Sequence, residues 1–204
     1  MYEVEQKYPL ADVPAVEVAL ARLGATWHGT AGQVDRYFNH PSRDFAITDE
    51  ALRLRRTDDT LAITWKGPRL DATAKARREI ELPLAEAAVP AAAGAEAAVP
   101  AAAGAEVAVP ATLDRWTELL GALGFRQVLE VAKRRRLATV AWQGAAIEIA
   151  IDHVAGLGDF VELELQADAA GIAAAAARVE SLARELGCTN PERRSYLEML
   201  LATT

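Results

Sequence analysis

Charged residues in this sequence recur in pairs spaced two apart. Glu3 and Glu5, Glu79 and Glu81, and Glu162 and Glu164 are acidic pairs, while Arg53 and Arg55, and Lys133 and Arg135, are basic ones. Lys7 extends the first acidic pair, Arg77 precedes the second, and Lys66 and Asp152 stand singly between pairs. In an extended chain alternate side chains share a face, so each pair lies on one side of a strand. The residue types match two chemistries. Carboxylate oxygens suit hard cations such as Mg²⁺ or Mn²⁺. Guanidinium and ammonium groups suit phosphate oxygens, Arg often bidentately. A metal-bound triphosphate requires both.

A charged row on one strand is ordinarily a solvated outer face. Several features taken together count against that here. The polar registers are nearly all ionic, with few of the Thr, Ser and Gln residues that dilute a solvated face, and they are segregated by sign between strands. The opposite registers are Leu, Ile and Val, as in Leu52 and Leu54, Ile147 to Ile151, and Val161 to Leu165. Helices with apolar faces are available to cover them. The core then lies between sheet and helices, and the ionic face is left in water or, if the sheet curls shut, lines a tunnel. Like charges crowded in such a lumen repel one another, and a ligand bringing both a polyanion and divalent cations relieves them.

The elements that must carry these rows follow in order. Met1 to Lys7 is a strand, and a helix opens at Asp12 and ends at Gly24. Strands are predicted over Gln33 to Asn39, Ala51 to Thr57, Leu61 to Lys66 (after a turn at Asp58-Asp59) and Ala76 to Leu84. Leu113 to Leu123 is a second amphipathic helix. Phe125 to Trp142 is strand-like, bent or split near Arg136, and is followed by strands at Ala146 to Asp152 and Phe160 to Gln166. Asp168 or a neighbour caps an alanine-rich helix to Leu186, and Pro191 starts a last helix through Leu200. Residues 85–111 differ in kind: Ala-Glu-Ala-Ala-Val-Pro-Ala-Ala-Ala-Gly occurs twice and a third copy begins at Ala105. Prolines at 90, 100 and 110 prevent one continuous helix. The tract reads as a surface insertion and holds no residue type that catalysis needs.

Composition bounds the rest. A length of 204 residues fits one domain over 1–204. The net charge of -7 argues against a nucleic-acid binder, whose affinity comes from a basic surface. The run Lys133 to Arg136 does not alter this, because strand parity divides it between two faces. Cys188 is the only cysteine, and His28, His40 and His153 are scattered, so any metal is held by carboxylates and the expected setting is a reducing, cytoplasmic one. No apolar run is long enough for a membrane span. The four tryptophans, Trp27, Trp65, Trp116 and Trp142, sit singly among apolar neighbours and read as packing residues. Oligomeric state is open, a homodimer included.

Glu3-x-Glu5-x-Lys7 resembles the N-terminal signature of the CYTH, or triphosphate tunnel metalloenzyme, superfamily. Arg53-x-Arg55, Lys66, Arg77-x-Glu79-x-Glu81, Lys133-x-Arg135, Asp152 and Glu162-x-Glu164 follow in the order that family uses. The resemblance implies an α+β fold, an eight-stranded antiparallel β-barrel forming a tunnel with flanking helices. It implies Mg²⁺ or Mn²⁺ bound among Glu3, Glu5, Glu79, Glu81, Asp152, Glu162 and Glu164, with Glu79 and Glu81 not distinguished. It also implies a triphosphate gripped by Lys7, Arg53, Arg55, Lys66, Arg77, Lys133 and Arg135, all but Arg77 carried over as catalytic. The repeat at 85–111 departs from the pattern. Gln33-Val-Asp-x-Tyr-Phe-Asn, the approach from Asp44 to the arginine pair, and Arg194-Ser-Tyr are similar to bacterial class IV adenylyl cyclases. Thiamine triphosphatases and inorganic triphosphatases share the same ionic residues, and a non-catalytic polyphosphate or nucleotide-binding module is the third alternative.

Overall fold

The computed structural model describes residues 2–58, 60–69, 77–84 and 112–203; the 85–111 repeat, Asp59 and Ala76 lie outside them. The elements are β1 (Tyr2–Pro9), α1 (Val13–Arg22), β2 (Thr26–Asn39), α2 (Phe45–Thr48), β3 (Ala51–Thr57), β4 (Thr60–Arg69), β5 (Arg77–Pro83), α3 (Leu113–Ala122), β6 (Arg126–Trp142), β7 (Ala145–Val154), β8 (Gly158–Ala167), α4 (Ile172–Glu185) and α5 (Tyr196–Leu201). The strands close into an antiparallel barrel in the order β1-β5-β4-β3-β2-β6-β7-β8. β3 and β4, β6 and β7, and β7 and β8 are each joined by a short hairpin connection. The β6–β7 hairpin turns on Gln143 and Gly144, both at positive φ, the geometry a two-residue connection requires.

Strand parity divides the protein into two environments. One register of each strand points outward and is largely apolar, with outward arginines such as Arg36 and Arg136 pairing with helix acids; the other points into the lumen and carries the acidic and basic rows. Most of the core therefore lies outside the barrel, while Tyr37, Val131, Val154 and Phe160 on the lumen register pack with Tyr196 in a smaller cluster. Ile147, Ile149, Val161 and Leu163 pack beneath Val16 and Leu20 of α1 and Val179 and Leu182 of α4, while Phe38, Leu52 and Leu54 pack with Phe45 and with Leu113 and Leu120 of α3. Leu20 and Leu163 are fully buried, and burial of such a side chain contributes ~1.5–3 kcal/mol. The helices thus hold the wall closed, and the lumen is left free for charge.

Several boundaries differ from the sequence reading. β2 begins at Thr26 rather than Gln33, because its first half pairs with β6 across an irregularity between Trp27 and Gly29; glycines at 29 and 32 break the alternation that would announce it. β6 runs unbroken past Arg136, where the irregularity falls in its partner; its own extra residue is Val128, between the Tyr37–Leu129 and Phe38–Gln127 pairs. The short α2 has no sequence periodicity to reveal it and rests on the Asp44 cap, whose carboxylate accepts from Ala46 N. Asp168 accepts from Gly171 N, shaping the turn before α4 rather than capping the helix. α5 begins at Tyr196, not Pro191: Ser195 and Glu198 form a capping box. The preceding residues instead dock on the barrel, Glu192 N donating to Lys7 O at 2.7 Å.

Candidate active site

The lumen holds a cavity of ≈ 620 Å³. Glu3, Glu5, Lys7, Arg53, Arg55, Lys66, Arg77, Glu79, Glu81, Lys133, Arg135, Glu162 and Glu164 all line it. Asp152, expected beside them as a metal-binding acid, shares the register of Glu148 but does not line the cavity; it is fully buried among the lumen cations. Its oxygens accept from Arg135 Nε and Nη2 at 2.7 and 2.6 Å, from Lys133 Nζ at 3.3 Å and from Tyr196 Oη at 3.1 Å. In this structure it anchors the cations.

The signs are separated around the barrel. On β1, β8 and β7, which are contiguous, Glu5 stands directly opposite Glu164, and Glu164 directly opposite Glu148. Glu148 also faces the cavity; its row was visible in the sequence, but with Ala150 beside it there was no acidic pair to single it out. Like charges at directly opposed positions destabilise one another. Burial, then Glu3 and Glu5, push the Glu164 carboxyl up to about 8. Glu3 is raised by burial, against the pull of Lys66 and with help from Glu79.

The basic side is built on β3 and β6 with β2 between them. Asp35, on β2, is 1% exposed and accepts from Arg55 Nε and Nη2 at 2.7 and 2.8 Å, with Arg53 Nη1 at 3.8 Å. Burial alone would raise Asp35, but Arg53 and Arg55 hold it far below the usual carboxylate range. This aspartate is a residue that sequence reasoning missed as part of the site. Its signal was the shared register with Tyr37, directly across from the arginine row at Asp35–Arg55 and Tyr37–Arg53. Arg135 is clamped between Asp152 and Glu162. Lys133, also nearly fully buried, is pushed down to about 7, by burial first and then by Arg135 and Arg55. The Asp152 charge does not reverse this, because Arg135 already engages both of its oxygens.

Between the two sides the charges neutralise one another. Lys66 Nζ donates to Glu3 Oε1 at 3.0 Å and lies 2.7 Å from Glu79 Oε2, and Arg53 Nη2 is 3.8 Å from Glu79. Thr64, fully buried, donates to Glu81 Oε2, so Glu79 is the acid among the cations and Glu81 the one held by a hydroxyl. The C-terminal segment closes one side. Lys7 Nζ donates to Arg194 O at 2.6 Å and sits 3.9 Å from the Tyr196 ring centroid.

All the donors on the acidic side are carboxylates, the ligand type of Mg²⁺ and Mn²⁺. None of the three histidines nor Cys188 lines the cavity. Carboxylates set directly opposite one another, as Glu5, Glu164 and Glu148 are, with Glu164 desolvated as well, form the environment a divalent cation relieves, so the residues present fit such an ion. Among the described residues no three acids are already gathered as a coordination shell; Glu3 and Glu162 are turned toward cations instead.

The CYTH domain family matches residues 1–196. The chain belongs to the CYTH domain family. A protein of Methanocaldococcus jannaschii described as a candidate adenylate cyclase is 33% identical over 164 residues, 80% of this chain and 77% of that protein. The adenylate cyclase CyaB of Aeromonas hydrophila is 29% identical over 201 residues, 96% of this chain and 86% of its own. A solved protein of Pyrococcus horikoshii is 34% identical, covers 99% of both chains and superposes with a TM-score of 0.78. The closed eight-stranded barrel of this CYTH protein is thus shared along essentially its whole length.

Proposed function

We propose that this CYTH protein is a divalent-metal-dependent enzyme acting on a triphosphate, and specifically an adenylyl cyclase that converts ATP to cyclic AMP and pyrophosphate. The observation that carries the reading is the division of one cavity into an acidic side and a basic side whose charges are spent on each other. A metal triphosphate exchanges those partners. Phosphate oxygens take Lys66, Arg53 and Arg135, and the released Glu3, with Glu5, Glu162, Glu164 and Glu148, becomes available to Mg²⁺ or Mn²⁺. Such an ion supplies charge neutralisation and acidifies the attacking hydroxyl.

The protein's own residues do the rest. Asp35 and Asp152 fix the guanidinium groups of Arg55 and Arg135 before substrate arrives, so little reorganisation is needed when charge develops. With the triphosphate so held, the ribose 3′ oxygen attacks the α-phosphorus, its proton passes to solvent water, and the bond from the α-phosphorus to the bridging oxygen breaks, that oxygen leaving with pyrophosphate. Lys7, Arg53, Arg55, Lys66, Lys133 and Arg135 stabilise the α-phosphate and the departing pyrophosphate.

A second reading is hydrolysis of thiamine triphosphate or tripolyphosphate, for which the same cations and carboxylates would direct water at the terminal phosphate. Purified protein with Mn²⁺ and ATP distinguishes them by product. Cyclic AMP and pyrophosphate in equal amounts support the cyclase, orthophosphate from the other substrates supports the triphosphatase, and cyclic AMP absent with every metal overturns the first reading. Glu5→Gln tests the non-catalytic alternative, which predicts anion binding that is undiminished by the change.

A further inference from the structure

Two of the lumen's ammonium groups converge on one aromatic ring. Lys7 Nζ lies 3.9 Å and Lys133 Nζ 5.2 Å from the Tyr196 ring centroid, and Lys7 and Lys133 are only 1% and 7% exposed. Water therefore does little to shield the two charges from each other. The face of an aromatic ring is electron-rich and attracts a desolvated ammonium. It accepts none of the N–H bonds in doing so. A carboxylate partner differs: Lys66 directs its donors at Glu3 and Glu79, and a phosphate has to displace those acids.

Tyr196 is itself fixed from several sides. It is the first residue of α5, placed there by the Ser195 cap and its box with Glu198. Phe160 meets its ring with centroids 5.2 Å apart at 66°, and its hydroxyl donates to Asp152 Oδ2 at 3.1 Å. Burial, then Glu162 and Asp152, push that hydroxyl well above its ordinary range, so it remains a donor. Asp152 in turn engages Lys133 and Arg135. The chain reaches α5 along β1, where Glu192 N donates to Lys7 O and Arg194 O accepts from Lys7 Nζ. One side chain of the C-terminal segment thus meets Lys7 and Lys133 with its face and the anchor of Arg135 with its hydroxyl.

We propose that Tyr196 is a positioning residue for the phosphate grip: its ring face holds the Lys7 and Lys133 ammonium groups in the lumen without engaging their N–H bonds, and its hydroxyl ties them to Arg135 through Asp152. This rests on the reading of the lumen as a triphosphate site. An alkyl side chain of similar size fills the same space but attracts neither ammonium. The contribution of Tyr196 to anion binding therefore follows the electron density of its ring, not its volume.

The test varies that density at nearly constant shape. Tyr196→Phe removes the hydroxyl alone. Replacing Tyr196 by mono-, di- and pentafluorophenylalanine through a suppressor tRNA then withdraws charge from the ring face in steps, and Tyr196→Leu removes the ring. Binding of inorganic tripolyphosphate with Mn²⁺ is measured by calorimetry, and thermal melting confirms which variants are folded. The expected result is a graded loss of affinity along the fluorinated series, reaching about tenfold between Tyr196→Phe and the most fluorinated variant that folds, with Tyr196→Leu weakened to a similar extent. A packing role predicts no trend with fluorination. Affinity that stays flat or rises along the series overturns the proposal while leaving the tunnel reading in place; an unaltered protein that does not bind tripolyphosphate overturns both.

Discussion

Replacing Glu164 by Gln should stabilise the metal-free protein, and more so as pH rises. The carboxyl stands at about 8 against an ordinary 4.5, a gap of about 3.5, which at about 1.36 kcal/mol each is an upper bound of ~5 kcal/mol. The repulsion is shared with Glu3, Glu5 and Glu148, and the site is partly solvated, so ~1–3 kcal/mol is the expectation for one substitution. The sign follows from linkage. Below about pH 4.5 the group is protonated folded and unfolded, and contributes no difference. Between about 4.5 and 8 the unfolded chain ionises while the folded one retains its proton, so stability falls as pH rises and this group's full penalty is in place by about pH 8. Gln cannot ionise, and it can still accept the hydrogen bond from Gln166 Nε2 that Glu164 accepts now. Thermal melts of both proteins without metal should coincide near pH 4.5 and separate by roughly 3–10 °C near pH 8, with the variant higher. Mn²⁺ should raise the unaltered protein more than the variant. A variant no more stable at about pH 8, or a difference that does not change with pH, refutes the crowded-carboxylate account.

Asp152→Asn should be among the most damaging single changes, because it removes the buried charge that Arg135 and Lys133 share; a loss of about 3–5 kcal/mol in urea unfolding is expected, and a loss under about 1 kcal/mol contradicts the anchor role. Lys133 is held down to about 7 and regains its proton when a polyanion arrives, so tripolyphosphate binding near pH 8 should take up a proton, seen as buffer-dependent calorimetric heat. That uptake should vanish in Lys133→Met and near pH 5, where the amine is already charged. Asp35→Asn releases Arg53 and Arg55 from their fixed positions; triphosphate binding should weaken by about tenfold, and unchanged binding with unchanged turnover contradicts the positioning role. Exchanging most of the 85–111 repeat for a short Gly-Ser linker should leave turnover within about twofold, and loss of activity in a folded product assigns the tract a part in the site.

The charged rows were legible in the sequence because strand parity is strict: a pair such as Glu162 and Glu164 reaches one face whatever the rest of the fold does. Closure into an eight-stranded barrel was not readable from parity, which says nothing of which strands pair; that expectation came through the family resemblance, and the closed barrel bears it out, while the strand order is given by the structure alone. Roles carried by a single residue were harder to see. Asp35 and Glu148 have no like-charged neighbour in their own rows, and their meaning arises only across strands, opposite Arg55 and Glu164. Asp152 looked like one more acid until its oxygens were found facing Arg135, Lys133 and Tyr196. The C-terminal contact to Lys7 links residues 187 positions apart, a separation at which local pattern is silent.

The central claim is that one lumen binds a divalent cation on its acidic side and a triphosphate on its basic side. Crystals grown with Mn²⁺ and a non-hydrolysable ATP analogue, with anomalous scattering used to locate the metal, test it most directly. Manganese against Glu5 and Glu164, with phosphate oxygens on Arg53, Arg55 and Arg135, is the predicted result. Metal and phosphates bound on the outer surface of the barrel, with the Lys66–Glu3 and Arg135–Glu162 pairs intact, would contradict it.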